Sequence, residues 1–414
     1  MRTAMTGLAT FLFILVTWSS QPLLAQSPHP DPVPKAVTFK TLITTPRAIE
    51  GLTGDNGSNL YTAGSGAPPC PLWQINIQHP ALTVVGNVQS ASGCNFRGLA
   101  LDSAGRLYAA DQTLGVIYRV TPNASAPLDA SVFASGVPGT NGVVFDRQGN
   151  LWTSDGLTGL GRIWKITGAG ANCAPPSPTN CTEVFRVQPM RNSTALGGTV
   201  PGDGIGRQSR IVPPATLTIA SGTFPLTPAG GHDLVANGLE FDNHGNLYII
   251  DTARGALWHA TFDAGGNLTS RLGCDQTYTA NTLCVSNVMV GSPALVGGDG
   301  IVLDVAGNIW VSVNERNSIA LITRRGTVME VFRNPVNARG LRNAADTAAG
   351  NAHILEFPTS PVLNGSVFCT ANYDLDRGDN SPASAGEADG STVLGKISCM
   401  DQTAPIRGLP LPVR

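Results

Sequence analysis

Residues 237–251 read NGLEFDNHGNLYIID, and the chain returns to this phrase again and again. Residues 97–111 are RGLALDSAGRLYAAD, 141–155 are NGVVFDRQGNLWTSD and 299–313 are DGIVLDVAGNIWVSV. A weaker copy, EGLTGDNGSNLYTAG, occupies 50–64, and a degraded sixth starts at Thr359. Each copy holds a short apolar run, then Asp-x-x-Gly-Asn or a relative, then a second apolar run. Asp caps the turn and Gly supplies a positive φ, so the phrase is a β-hairpin. A third strand follows, as at 161–166 or 255–260, and a fourth is readable at 131–134.

Four strands at a period above roughly 40 residues match a β-propeller blade. The copies start at 50, 97, 141, 237, 299 and 359. The fold expected is therefore all-β: one six-bladed propeller of four-stranded blades. A parallel α/β fold is excluded because no amphipathic helices separate the strands. Composition agrees: only 13% of residues are charged, too few to coat long helices, while 48 Gly and 30 Pro suit a turn-rich chain. A formal net charge of −2 provides no global basic field for nucleic acid or an anionic membrane.

Strand direction sorts the loops. If first strands begin at the top, the Asp-x-x-Gly turns lie at the bottom. The step of 96 residues between the third and fourth copies then places an insertion, about 188–236, on the top face like a lid. Residues 37–45 are strand-like but precede the first copy, so they are expected to complete the last blade beside 395–398 and close the ring.

Residues 1–25 read as a secretory signal peptide, with Arg2, an apolar stretch from Leu8 to Trp18, and cleavage after Ala25. That stretch is short for a span of ~20 residues, so cleavage is favoured over an anchor. Residues 26–36 follow as a flexible leader, and 37–414 form one propeller domain. The protein is expected to be exported, periplasmic or secreted, with no membrane attachment after cleavage. Eight cysteines fit an oxidising compartment. Roughly a hundred pairings are open to eight cysteines; the sequence-adjacent one joins Cys70/Cys94, Cys173/Cys181, Cys274/Cys284 and Cys369/Cys399. For the last pair, the strand limits read here place the sulfurs towards opposite ends of two antiparallel strands.

The first residue of each copy should line the top of the central channel: Glu50, Arg97, Asn141, Asn237, Asp299 and Thr359. All six are polar at the start of an inner strand. Oxygen atoms of Glu50, Asn141, Asn237 and Asp299 converging on one axis suit a divalent cation, calcium first, with magnesium, manganese or zinc also compatible. Two carboxylates at one height repel each other unless a cation neutralises them. Asp102, Asp146, Asp242 and Asp304 recur in bottom turns and read as structural. Asp111, Asp155 and Asp251 end second strands near the top; strand-end hydrogen bonding is expected first, with Asp155 the leading catalytic alternative among them. Of six histidines only His232, in the lid before Asn237, is placed for substrate contact, and a surface-loop role competes with that. Asp374–Asn380 reads as an acidic surface loop lacking the Gly and Glu of an EF-hand. No G-x-S-x-G elbow or P-loop is present.

These phrases resemble the regucalcin/gluconolactonase (senescence-marker-protein-like) family of six-bladed propellers. Glu50 in Ala48-Ile49-Glu50-Gly51, Asn237 in Ala236-Asn237-Gly238-Leu239 and Asp299 at the head of the 299–311 phrase are similar to that family's metal ligands. Asn141 resembles its substrate-side Asn; the Arg often found two residues earlier is Gly139 here. The resemblance implies a metal-dependent hydrolase of lactones or related cyclic esters. In that reading Glu50, Asn237 and Asp299 hold the metal, Asp299 also orients or deprotonates water, and Asn141 and Arg97 meet the substrate. The competing reading is a non-catalytic exported propeller that binds a ligand or protein on its top face.

Overall fold

The computed structural model describes residues 32–33, 37–189, 234–276, 278–334, 354–373 and 395–410, with the backbone of a hairpin at Thr216–Ile219 and Gly222–Pro225. The signal peptide, most of the leader, most of the insertion with His232, and the Asp374–Asn380 loop lie outside these residues. Six antiparallel sheets carry the six copies in order. Blade 3 is typical: Thr140–Phe145, Leu151–Asp155, Arg162–Ile166 and Cys181–Arg186 pair in sequence.

The ring closes as the sequence requires. Phe39–Thr44 pairs antiparallel with Lys396–Met400, Phe39 facing Met400 and Thr44 facing Lys396, so the N-terminal strand is the outer strand of blade 6. Two blades depart from the four-stranded expectation. Leu128–Asp129 adds in parallel to blade 1, and Ala171–Asn172 adds in parallel to blade 2. Both come from connections in the following blade, so each loop covers its neighbour's outer edge and leaves fewer unpaired backbone groups.

What brings the inner strands together is the glycine after each first residue. A Cβ built on Gly51 would lie 2.1 Å from the Arg97 carbonyl oxygen; on Gly98, 2.4 Å from that of Asn141; on Gly142, 2.8 Å from that of Asn237. On Gly238 it would meet the Asp299 oxygen at 2.5 Å, and on Gly300 the Thr359 oxygen at 2.7 Å. Each blade thus rests its glycine on the first-position carbonyl of the next, a contact that no side chain permits. Hydroxyls reinforce it. Thr252 donates to the Gly298 carbonyl at 2.7 Å, Ser154 donates to that of Asn237, and Thr359 donates to that of Glu50 at 2.7 Å, joining blade 6 to blade 1.

Further out, aromatic rings at the second position of the second strands fill the space between sheets. Tyr108 meets Phe145 at 4.9 Å, Trp152 meets Phe241 at 5.5 Å and Trp310 meets Phe368 at 5.1 Å. Two of these aromatics also reach the bottom turns: Trp152 Nε1 donates to Asp146 at 2.9 Å and the Tyr108 hydroxyl to Asp102 at 3.0 Å. The turn aspartates accept backbone N–H groups, as in Ala104 and Arg106 to Asp102, both at 2.9 Å. Gly105, Gly149, Gly245 and Gly307 sit at φ of +75, +81, +84 and +80°. The structural reading of these four turns therefore stands.

All four sequence-adjacent disulfides are present. The expectation that Cys369 and Cys399 lie at opposite strand ends is corrected: the register sets them directly opposite each other. Residues 374–394 are so long a connection that strand limits could not be counted across it from sequence.

Gly238→Ala is expected to destabilise the ring by about 1–3 kcal/mol, since the added methyl meets fixed backbone. Denaturant unfolding of the variant beside wild type measures this; equal midpoints would show that the inner strands have room to part.

Candidate functional site

Five of the six first-position residues, Glu50, Arg97, Asn141, Asn237 and Asp299, line one cavity of about 280 Å³ at the top of the central axis. Thr359, expected there too, does not line it; its hydroxyl is turned to the Glu50 carbonyl instead. The carboxylates and amides of the ring are at least nine-tenths buried.

A second tier of residues, just past the end of each second strand, fixes the first. Gln112 Oε1 accepts from Arg97 Nε at 3.0 Å, Thr252 Oγ1 from Asn237 Nδ2 at 3.1 Å, and Asp299 Oδ2 from Asn314 Nδ2 at 3.0 Å. In every case the partner is 15 residues downstream. Hairpin register explains this spacing, because the end of the second strand returns to the level of the first residue. For Asn141 the corresponding residue is Gly156, which has no side chain to offer. A Cβ there would lie 2.4 Å from Asn141 Nδ2. Asn141 consequently makes no side-chain hydrogen bond among the described residues, although it is 6% exposed and faces the cavity. Gly139, at φ +70°, has the Asp155 carboxylate where its Cβ would be (2.2 Å), so no side chain fits at that place.

Arg97 lines the cavity with its guanidinium engaged inside the ring. Its Nη1 forms an ion pair with Glu50 Oε2, and its guanidinium lies 5.1 Å from the centre of the Tyr373 ring. Burial alone would push the Arg97 pKa down, but the Glu50 charge and Tyr373 outweigh it and hold the group above its ordinary value. The carboxylate repulsion anticipated from sequence is thus half answered within the chain, by Arg97.

Several buried oxygens are left over. Asn237 Oδ1 and Asn314 Oδ1 accept no hydrogen bond among the described residues. A buried amide oxygen with no donor is costly, and two of them in one cavity with the Asp299 carboxylate are what a hard cation would satisfy. Among the described residues no three His, Cys, Asp or Glu side chains converge as a metal cluster. The donors here are mixed: two carboxylates, Glu50 and Asp299, completed by amides.

Asp111, Asp155 and Asp251 are fully buried and committed to their own turns. Asp251 Oδ2 accepts from Arg254 Nη1 at 2.7 Å and Trp258 Nε1 at 3.0 Å. Arg254 in turn donates to the carbonyls of Gln188 and Pro189, tying down the point where the insertion departs. Asp155 accepts from Arg162 Nε at 2.8 Å and from Thr158. These bonds are the strand-end hydrogen bonding expected of Asp155.

Below the cavity the axis narrows to a channel of about 70 Å³, lined mostly by apolar side chains and glycines, with Thr53, Ser360 and one carboxyl, Glu240, on its wall. Among the described residues that carboxyl accepts one hydrogen bond, from the Phe241 N–H at 3.1 Å. Desolvation pushes its pKa from 4.5 to about 8, against the small opposing effect of that bond. The folded protein therefore keeps a proton that the unfolded chain gives up, and stability falls as pH rises from about 4.5 through about 8. Glu240→Gln should remove this slope and exceed wild type above pH 8 by on the order of a few kcal/mol. Denaturant melts across that pH range test it; parallel wild-type and variant curves would overturn it.

Reading the sequence alone finds the ring but not Gln112, Thr252, Asn314 or Tyr373. The 15-residue step from each copy's first residue was the signal available for the first three.

Residues 222–340 match the family model described as SMP-30/Gluconolactonase/LRE-like region. The chain therefore resembles that family through blades 4 and 5, where the Asn237 and Asp299 phrases lie. Among solved structures, a calcium-binding regucalcin from Agrobacterium tumefaciens is 14% identical with a TM-score of 0.52, covering 91% of this chain and 97% of that one. A luciferin-regenerating enzyme is 13% identical with a TM-score of 0.51, covering 91% and 99%. At this identity the likeness is one of fold. No curated protein matches the chain at a significant level.

Proposed function

We propose that this gluconolactonase-like propeller is a metal-dependent hydrolase of lactones or related cyclic esters that works outside the cytoplasm. The observation that carries the reading is the pair of buried amide oxygens, Asn237 Oδ1 and Asn314 Oδ1, without donors among the described residues and in one cavity with the Asp299 carboxylate. Glu50, Asn237 and Asp299 would hold a divalent cation, with Asn314 alongside. The all-oxygen donor set favours calcium, which the regucalcin of similar fold is described as binding; magnesium, manganese and zinc are compatible. When bound, such an ion supplies Lewis acidity at an ester carbonyl and charge support for the developing oxyanion.

The chain's own residues divide the remaining work. Asn314 Nδ2 orients the Asp299 carboxylate, which then serves as the acceptor for a proton from attacking water. Arg97 neutralises part of the acidic ring and keeps Glu50 in place. The Asn141 amide, left open because residue 156 is glycine, grips the ester. Four disulfides support export, and among the described residues no helix is long and apolar enough to cross a membrane.

Calorimetric metal titration joined to lactone hydrolysis tests the assignment. Asp299→Ala should abolish both metal binding and turnover while the protein still folds. Asn314→Leu should weaken the metal about tenfold or more, in the range of a lost outer or inner metal partner. Asp102→Ala, in a bottom turn, should cost stability and leave chemistry intact. Unchanged metal affinity in Asp299→Ala would refute the site and favour the binding-only reading.

Gly156→Ala separates substrate from metal. Its methyl would displace the Asn141 amide, so KM should rise by about tenfold with metal affinity unchanged. An unaltered KM would remove Asn141 from the substrate site.

A further inference from the structure

With a cation on the leftover oxygens, as proposed above, few side-chain N–H donors among the described residues remain for a ligand. Arg97 is committed to Glu50 and Gln112, Asn237 Nδ2 to Thr252, and Asn314 Nδ2 to Asp299. Among the ring amides, Asn141 alone makes no side-chain hydrogen bond among the described residues. A polyhydroxylated ring would bring several hydroxyls into this space, each needing a partner to offset its desolvation.

Among the described residues, apolar side chains also line the cavity. Thr140 faces Asp155 across blade 3, so Leu157, two residues further on, stands above the level of Asn141 at the cavity mouth. Its turn is held by the buried Asp155, which accepts from the Leu157 and Thr158 N–H groups at 3.4 and 2.9 Å and from Arg162. Leu157 is 54% exposed on this fixed turn, and a Cβ on Gly139 would lie 3.2 Å from its own Cβ. A single exposed leucine is unremarkable. This one directly follows Gly156, whose Cβ position abuts the Asn141 amide, on a side where Gly139 and Gly156 supply no side chain, and Leu234, just before the fourth copy, lines the same cavity. Across the axis, blade 6 contributes Phe357 and Tyr373. Phe357 is held at φ +51°, a conformation rare for a bulky residue, by its N–H bond to Asn317 Oδ1 at 2.7 Å.

We propose that the substrate is a lactone bearing an apolar substituent, its ester at Asn141 and Asp299 and its substituent against Leu157 and Leu234, and not a polyhydroxylated sugar lactone. This rests on the lactone-hydrolase reading above. Polar groups suffice for one ester; the walls suit an alkyl or aryl group, whose burial adds transition-state binding that a hydroxylated ring cannot gain here.

The test uses the full chain loaded with calcium and three six-membered lactones: δ-valerolactone, δ-decalactone and glucono-δ-lactone. kcat/KM on δ-decalactone should exceed that on glucono-δ-lactone by about tenfold or more, and Leu157→Ser should shrink that ratio about tenfold. Leu128→Ser, an equally exposed leucine on the outer edge of blade 1, should leave the ratio as it is. Preference for glucono-δ-lactone, or a ratio unmoved by Leu157→Ser, overturns the proposal. If no lactone is turned over, the hydrolase reading falls and binding decides this one. Calorimetry then compares a pentyl-substituted δ-valerolactam with gluconolactam. About tenfold tighter binding of the pentyl compound, reduced in Leu157→Ser, upholds it; equal, reversed or absent binding overturns it.

Discussion

The contact on which the molecule depends is glycine against carbonyl between neighbouring inner strands. Five glycines, one after each of the first five copy starts, let one blade's backbone rest on the first-position peptide of the next. That approach sets the width of the axis and holds successive first residues at matched height. Aromatic rings between the sheets then fill the widening wedge further out, where there is room for them. Close approach at the axis and bulk at the periphery are two halves of one geometry, and together they make six sheets into a ring.

The same contact constrains the site. Because first residues are held at one level, their side chains must share a small space, and polar groups crowded in this way need partners. The chain supplies them through hairpin register: the residue beyond each second strand returns to the level of the first. Gln112, Thr252 and Asn314 each fix the ring member of their own blade. In blade 3 that partner is replaced by glycine, and the ring member beside it, Asn141, faces the cavity with no side-chain hydrogen bond among the described residues. Rigidity in most of the ring and one open amide are therefore products of one repeated substitution pattern.

Charge in the cavity is managed at two depths. Near the top, Glu50 and Asp299 share a space into which Arg97 brings one positive charge. Asp155 and Asp251, buried in the turns around it, are matched by Arg162 and Arg254, so the scaffold carries its own counter-charges. Lower in the channel, Glu240 has no such partner among the described residues and remains protonated up to about pH 8. The carboxylates around the cavity sit beside cationic or amide partners, whereas desolvation keeps the Glu240 carboxyl protonated.

Much of this was legible in the chain before any coordinates. The recurring phrase gave the hairpin, its spacing gave the blades, and an orphan strand at 37–45 gave the closure, because these follow from local turn chemistry and period. The same phrase placed Glu50, Arg97, Asn141, Asn237 and Asp299 near one axis. What sequence could not decide was which way those side chains turn. Arg97 is bound to Glu50 and Thr359 to backbone because blades distant in sequence meet across the axis, and only the closed ring makes those contacts. Asp155, a catalytic alternative by position, becomes a turn anchor because Arg162 and Thr158 fold back onto it. Cys369 and Cys399 become direct cross-strand neighbours through register that a long intervening connection hides. Strand order is a property of local pattern; side-chain partnership at the axis depends on the simultaneous placement of six blades, and that only the tertiary structure determines.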